Sequence, residues 1–198
     1  MATDIAVVLT NLLGFYNFRH KRTVHVGAGG GQFIGYAAQA LHVVAVDPDP
    51  EALMHLQIAV GVLRLDGRFT VRQQQFESVV DRGDVVFFEF CLHEMADPDA
   101  ALRHARQLAP ETLVIDHAPG SPWAWCTAET EKVARSWAAV EAAGIRREQQ
   151  FLGYQRFADG DVLLHRVESL GEPAVSRALA HAGPGAVEIE MTYRIALL

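Results

Sequence analysis

Cysteine is scarce in this sequence, and long apolar runs are absent from it. Its 198 residues include two cysteines, Cys91 and Cys126, which are too few for a disulfide framework and cannot alone supply a zinc site. No run of ~18 uncharged apolar residues occurs, which excludes a transmembrane helix, so we expect no membrane partner. The opening Met-Ala-Thr-Asp lacks the basic start of a secretion signal. We therefore expect a reduced, soluble, cytoplasmic protein.

Basic residues are also in the minority. Lys and Arg number 17 against 24 Asp and Glu, which gives a formal net charge of −7. The basic cluster Arg19–Arg22 is too short to form the concentrated basic face of a nucleic-acid groove, so we expect no nucleic-acid partner. A hydrophobic fraction of 50% excludes a disordered chain. The length predicts a single domain over residues 1–198, with an N-terminal helix over 1–20 and a C-terminal extension, carrying an extra strand, over 169–198.

Short apolar segments alternate with helical patterns along the first three quarters of the chain. Asp84–Phe90 is almost continuously apolar, as is typical of a strand buried on both faces of a parallel sheet. Five such strands are predicted, at 23–26, 42–47, 68–71, 84–90 and 112–115. Because helices separate them, the pattern predicts an α/β fold with an open, mostly parallel sheet and helices on both faces.

The last quarter of the chain shows a different pattern. Arg147–Phe157 and Val162–Val167 flank Ala158–Asp161, which predicts a β-hairpin. Strict alternation from Val187 to Ile195 predicts a half-buried antiparallel strand. We expect antiparallel C-terminal strands, the last of them at a sheet edge, where it would pair with a second copy in a homodimer.

A glycine-rich turn follows the first predicted strand. Gly27, Gly29 and Gly31 form a Gly-X-Gly-X-Gly turn, after which a helical pattern resumes as far as Leu41. Such a turn brings backbone close to a ligand, either a dinucleotide or S-adenosylmethionine. The dinucleotide spacing requires glycine at position 32, which is Gln32. Asp47 ends the second strand, where a carboxylate accepts hydrogen bonds from ribose hydroxyls.

Three segments together resemble the class I S-adenosylmethionine-dependent methyltransferases. They are the glycine turn within Val24–Phe33, the acid-ended strand within Val44–Leu53, and Phe90–Pro110, in which a Leu-His pair precedes a helix and a proline-ended turn. The resemblance spans residues 22–168. It implies a Rossmann-like sheet and S-adenosylmethionine as cofactor.

The resemblance also implies roles for individual residues in cofactor binding. The methionine and ribose side of the cofactor would lie against Gly27, Ala28, Gly29 and Gly31. Asp47 would bind the ribose and Pro48 would lie beside the adenine. The segment from Phe90 to Leu92 would pass the sulfonium.

Two positions depart from the family pattern. The family usually has an acid two residues before the first glycine, where this chain has His25. It commonly has another acid near the adenine amino group, where this chain has Gln75. The glutamine carbonyl can still accept from that amino group, and Phe76 can pack on the ring. His25 leaves the amino-acid end of the cofactor without the family's carboxylate.

Four candidate catalytic residues follow the fourth and fifth strands: His93, Glu94, Asp116 and His117. In an open α/β sheet the site lies beyond the carboxyl ends of the strands, so these side chains should face the ligand. An unperturbed His93 suits a general base, and Glu94 could orient it or bind a substrate cation. By type, the four residues could also bind a divalent metal, but their spacing shows no convergence, so we predict no metal.

These observations favour methyl transfer from S-adenosylmethionine to a small-molecule acceptor, by in-line attack on the sulfonium methyl. Trp123 and Trp125, just after the fifth strand, could stack on an apolar acceptor. Two alternatives stay open. An NAD(P)-dependent oxidoreductase is disfavoured by Gln32 and the glycine spacing, whereas a non-catalytic S-adenosylmethionine- or S-adenosylhomocysteine-binding protein is motivated by His25.

Overall fold

A computed structural model describes residues 4–183 and 185–198. The strands are β1 (Arg22–Val26), β2 (His42–Asp47), β3 (Phe69–Gln73), β4 (Val85–Glu89), β5 (Glu111–His117), β6 (Arg147–Phe157) and β7 (Val187–Leu197). The α-helices are α1 (Ile5–Phe15), α2 (Pro50–Val62), α3 (Pro98–Leu108), α4 (Pro122–Cys126), α5 (Thr130–Ala143), α6 (Gly160–Val167) and α7 (Glu172–Leu179). Within these described ranges no helix is long and apolar enough to cross a membrane.

The strands form one seven-stranded sheet in the order β3-β2-β1-β4-β5-β7-β6. Strands β1 to β5 pair in parallel, while β7 runs antiparallel to both β5 and β6. The predicted α/β architecture with antiparallel C-terminal strands is therefore confirmed. The strand order places the carboxyl ends of β1, β2 and β4 side by side, and this edge of the sheet carries the site.

The sheet separates two apolar layers. On one face, Phe87 of β4 packs in a cluster with Leu12 of α1 and Leu56 of α2. On the other, Phe88 packs in a cluster with Leu102 of α3 and Trp137 of α5. Successive residues of β4 thus face opposite layers and every one of them is buried. This explains why the strand is apolar almost throughout instead of alternating with polar residues.

The predicted hairpin is wrong. Residues 160–167 form α6, because the Asp159 side chain accepts a hydrogen bond from the backbone of Val162 at 2.9 Å and caps the helix. Strand β6 pairs instead with β7, from Arg147 opposite Leu197 to Phe157 opposite Val187. Since β7 lies between β5 and β6, both of its edges are already paired, so the expected position of this strand at a sheet edge is wrong. The homodimer itself stays a prediction.

The segment after the glycine turn is shorter than its pattern predicts. It forms only a 3₁₀ turn over Ile34–Ala38, where an α-helix was expected to reach Leu41. Gly35 lies so close to α1 that an added Cβ would be 2.6 Å from a methyl group of Leu9. The apolar side chains of this segment, Ile34 and Tyr36 among them, are fully buried. Their spacing reflects packing against α1 and the sheet.

Candidate active site

The glycine turn passes directly over the end of β4. Gly27 and Gly31 have φ values of +70° and +76°, which L side chains rarely adopt. A Cβ on Gly27 would lie 2.5 Å from the Cβ of Cys91. The turn is held to β2 by a 3.0 Å hydrogen bond from the Gly27 amide to the Val46 carbonyl. Glycine is therefore required at position 27 by both conformation and space.

Asp47, at the end of β2, fixes the middle of this turn. One carboxylate oxygen accepts from the Gly29 amide and the other from the Asp49 amide, both at 3.0 Å. A carboxylate offers about four acceptor positions, so two are left for other donors. Asp47 can therefore accept from ribose hydroxyls without releasing the turn.

Two adjoining cavities lie on either side of Gly27. The first, which we call the Asp47 cavity, has a volume of about 430 Å³. It is lined by Asp47, Pro48, Gln75 and Phe76, the residues expected around ribose and adenine. Phe76 is buried and packs edge-on against Phe88, with ring centroids 5.1 Å apart. The structure thus brings together the four residues predicted for the adenosine part.

The second cavity, which we call the His93 cavity, has a volume of about 390 Å³. Gly27, Gly29 and Gly30 line one side of it, and the ends of β4 and β5 contribute Glu89, Phe90, His93 and His117. The opposite side comes from later segments of the chain, through Trp123, Thr127, Glu129, Gln155, Arg166 and Met191. Glu94 borders both cavities, so the two form one continuous cleft.

His93 and Asp116 form a buried pair at the floor of the cleft. Nδ1 of His93 lies 2.6 Å from a carboxylate oxygen of Asp116, whose second oxygen accepts from the His93 backbone amide at 3.1 Å. The other ring nitrogen, Nε2, faces two more carboxylates, Glu94 at 3.4 Å and Glu129 at 3.9 Å. A carboxylate on one imidazole nitrogen, with the other nitrogen facing a cavity, is the arrangement of an oriented general base.

The charges around His93 strengthen its hold on a proton. Burial alone would lower its pKa, but the charge and hydrogen bond of Asp116, aided by Glu94 and Glu129, raise the pKa to about 10. The hydrogen bond with His93, aided by Lys132 at 2.6 Å, lowers the pKa of Glu94. Burial raises the pKa of Glu129, whose carboxylate also accepts from the Thr127 hydroxyl at 2.6 Å. The free protein therefore carries an imidazolium here at neutral pH.

The same cluster has the composition of a cation site. His93, Glu94 and Glu129 each offer one ligand atom, and these atoms lie within 4.8 Å of one another. The ammonium of Lys132 and the imidazolium already supply positive charge to these carboxylates. His93, Glu94 and Glu129 are thus the residues that could hold a divalent metal, and protons would compete for the same atoms.

His117 lies beside this pair in a different protonation state. Burial lowers its pKa to about 4, so the ring is neutral at pH 7. Its centroid is 5.5 Å from that of His93, and Nδ1 has no hydrogen-bond partner among the described residues. The Trp137 indole donates to the His117 carbonyl at 2.5 Å and fixes the backbone. A neutral and a charged imidazole therefore share one cavity.

The structure places four other sequence-predicted residues behind the cavity walls and a fifth, Trp125, on the outer surface. Ala28 and Leu92 belong to the apolar layers and are fully buried. Gly31 packs on α2, where an added Cβ would be 3.0 Å from Leu56. His25 is also fully buried, so its ring does not reach the cleft. Trp125 is 47% exposed on the outer surface, unlike Trp123.

Two acidic residues in the cleft were missed by the sequence analysis. Glu89 lies within an otherwise apolar buried strand, and a lone charge in such a strand is a signal for a functional position. Glu129 follows α4 and reaches His93 from a distant part of the sequence. No local pattern points to Glu129.

Comparison with known proteins shows that the chain is similar to methyltransferases. Residues 24–111 match the family model described as a methyltransferase domain. The YcgJ protein of Bacillus subtilis has a similar structure, with a TM-score of 0.71, 14% identity and 97% of each chain covered. Magnesium protoporphyrin IX methyltransferase of Synechocystis, solved with bound S-adenosylmethionine, gives a TM-score of 0.57 and 15% identity over 97% of this chain and 77% of that one. No curated protein sequence matches the chain.

The cyclase SpnF is also similar in structure, with a TM-score of 0.61 and 16% identity over 97% of this chain and 80% of that one. These structural likenesses establish the fold, and the presence of a cyclase shows that the fold alone does not specify a reaction. The matched segment and the fold agree with the predicted resemblance to the class I S-adenosylmethionine-dependent methyltransferases. The part of the chain that matches the methyltransferase domain model, residues 24–111, contains the glycine turn, Asp47 and His93. The protein is thus an enzyme with S-adenosylmethionine as its cofactor.

Proposed function

We propose that this enzyme transfers the methyl group of S-adenosylmethionine to a small-molecule acceptor bound in the His93 cavity. The observation that carries the proposal is that the glycine turn and His93 line the same cavity of about 390 Å³. The cofactor, when bound, supplies an electrophilic methyl group on its sulfonium. Cofactor bound along the glycines would bring this group next to the acceptor that His93 contacts, as in-line transfer requires.

The residues of the cleft fit the chemical groups of this cofactor. Asp47 has free acceptor capacity for the ribose hydroxyls, while Pro48 and Phe76 offer apolar surface to the adenine. Open space lies above Gly29, where an added Cβ would meet only the Gly27 carbonyl at 3.7 Å. This cradle admits a ligand close to the backbone. We therefore assign the Asp47 cavity to the adenosine part of the cofactor.

The acceptor is proposed to be a small molecule because of the size and cover of the His93 cavity. Small-molecule sites typically occupy about 300–1,000 Å³, and the methionine part of the cofactor would take a share of this one. Trp123 of α4, together with Arg166 and Leu170 from the C-terminal half, covers the cavity. The helices that carry Trp123 and Arg166 pack against β7 and β6 of the same seven-stranded sheet, and we propose that the chain acts as one domain.

We propose His93 as the general base that removes a proton from the acceptor, with Asp116 as the residue that positions it. At pH 7 a group with a pKa of about 10 is neutral in only about one molecule in a thousand. The base is competent only when deprotonated, so the rate should rise with pH. His117, neutral over this range, can accept a hydrogen bond from the acceptor and orient it.

Two measurements test the proposed function. Calorimetry with S-adenosylhomocysteine should show binding, and radiolabelled S-adenosylmethionine should transfer its methyl group to a member of a panel of phenols, amines, thiols and carboxylic acids. His93→Ala should reduce transfer by about 10²–10⁴-fold with cofactor binding retained. No binding of either ligand at millimolar concentration would refute the proposal. Protection from thermal unfolding by NAD but not by S-adenosylhomocysteine would favour an oxidoreductase.

A further inference from the structure

The His25 side chain is enclosed in the protein core beneath the glycine turn. It is fully buried, stacked on Phe87 at 4.8 Å between ring centroids and edge-on to Tyr36 at 5.5 Å. Its Nε2 lies 2.7 Å from a carboxylate oxygen of Glu89, at the end of the neighbouring strand β4. The residue at position 25 thus contacts a side chain that lines the cleft, that of Glu89.

Glu89 stands between this histidine and the cleft. Its side chain is 8% exposed and lines the His93 cavity together with Gly27, Gly29 and Gly30. The backbone carbonyl of Glu89 is 3.1 Å from the point that a Cβ on Gly27 would occupy, so the two residues are immediate neighbours. Burial raises the pKa of Glu89, and the nearby His25 counteracts that rise. A cation entering from the cleft would stabilise its ionised form.

The other carboxylates of the cavity are already engaged. Glu94 is paired with Lys132 at 2.6 Å, and Glu129 accepts from the Thr127 hydroxyl on the far side of His93. Within residues 4–183 and 185–198, His25 is the only ion-pair partner of Glu89. Glu89 is therefore the carboxylate beside the glycine turn that is available to a positively charged ligand group.

We infer that Glu89 binds the ammonium group of the methionine part of the cofactor, and that His25 is the positioning residue that holds its carboxylate. The inference rests on the cofactor placement proposed above. A carboxylate belonging to β4 then stands in for the acid that the sequence of β1 lacks at position 25. The buried pair would also make the cleft selective for adenosyl ligands that retain an α-ammonium group.

The experiment compares three ligands by calorimetry on the full chain. These are S-adenosylhomocysteine, its deaminated analogue with a hydroxyl in place of the ammonium, and 5′-methylthioadenosine, which lacks the amino-acid part. The wild-type protein should bind S-adenosylhomocysteine at least about tenfold more tightly than the deaminated analogue, as expected for loss of a charged hydrogen bond. Equal affinity for these two ligands would overturn the inference without any variant.

Variants of Glu89 and His25 then test whether these two residues cause the difference in ligand affinity. Glu89→Gln should lower the affinity for S-adenosylhomocysteine at least about tenfold and leave that for 5′-methylthioadenosine within about twofold. His25→Phe, which keeps an aromatic ring against Phe87, should shift the ratio of the two affinities in the same direction by a smaller factor. The matched control Glu77→Gln removes an exposed charge from the Asp47 cavity and should leave the ratio unchanged.

The outcomes separate this inference from the proposed function. Should Glu89→Gln weaken both ligands equally, Glu89 would have only a structural role and the inference would be wrong, while cofactor binding would stand. Should the wild-type protein bind none of the three ligands, the proposed function itself would fail. An unchanged ratio in His25→Phe would remove the positioning role of that residue and leave the role of Glu89 intact.

Discussion

Three single substitutions in the glycine turn separate backbone strain from steric overlap. Gly27 has φ +70° and no room for a Cβ, since the added atom would lie 2.5 Å from the Cβ of Cys91 and 2.6 Å from its sulfur. Gly29 has φ +48° but open space, and Gly30 lies outside the left-handed region with its nearest contact an ordinary 3.6 Å to His55. Alanine at position 27 therefore imposes both backbone strain and steric overlap. At position 29 it imposes backbone strain alone, and at position 30 it imposes neither.

The expected loss of stability in each variant follows from typical free-energy costs of backbone strain and steric overlap. A non-glycine residue in the left-handed region costs about 1–2 kcal/mol, and an overlap that shifts packed neighbours costs about 1–3 kcal/mol. Gly27→Ala should thus destabilise the fold by about 2–5 kcal/mol, Gly29→Ala by about 1–2 kcal/mol and Gly30→Ala by less than about 0.5 kcal/mol. For a chain of this size the expected fall in Tm for Gly27→Ala is about 4–20 °C.

Thermal and urea unfolding of the three variants, followed by circular dichroism, provide the assay. The expected order of stability is Gly30→Ala, then Gly29→Ala, then Gly27→Ala. In a Cys91→Gly background the two side-chain atoms that overlap the added Cβ are absent, and only the Glu89 carbonyl at 3.1 Å stays close to it. Gly27→Ala should therefore cost less stability in that background than in the wild type, and its cost should approach that of Gly29→Ala. If Gly27→Ala and Gly30→Ala unfold at the same temperature, the reasoning about the turn is refuted.

Further predictions concern the pH dependence of the reaction and the binding of the cofactor. If His93 is the base, log kcat/KM should rise with unit slope below its pKa of about 10 and level off above it, because only the deprotonated ring accepts a proton. Glu129→Gln removes a negative charge facing that ring, so the plateau should begin at a lower pH, and an unshifted profile would exclude this coupling. Asp47→Ala should weaken S-adenosylhomocysteine about 10–100-fold in calorimetry, whereas an unchanged affinity would place the ribose elsewhere.

The parallel half of the fold could be predicted from the sequence because its signals are local. An almost continuous apolar run predicts β4. The glycine spacing together with Asp47 predicts the ligand-binding turn that follows β1. These features depend on residues close together along the chain. The Asp159 cap of α6 is also a local signal. The sequence nevertheless predicted a hairpin turn there, because Val162–Val167 is short enough to suit either a strand or a helix.

The remaining parts of the site depend on contacts between distant residues. His25 is an unexplained departure until the structure places it against Glu89 on the next strand. The pKa of His93 is set by Asp116, Glu94 and Glu129, which come from three different segments and converge only in the folded chain. No spacing rule connects these residues, so neither the protonation state of His93 nor the available carboxylate could be predicted from the sequence.

The position of β7 has a consequence for the order in which the sheet can form. Among the strands of residues 4–183 and 185–198, β6 pairs only with β7, and β7 occupies the place between β5 and β6. A nascent chain that has produced β5 and β6 therefore has no adjacent position for β6 in the sheet until β7 inserts between them. Closing this long-range pairing costs loop entropy before any contact compensates for it. We expect the parallel strands to form first, with Trp123 and Arg166 covering the His93 cavity only in the last step of folding.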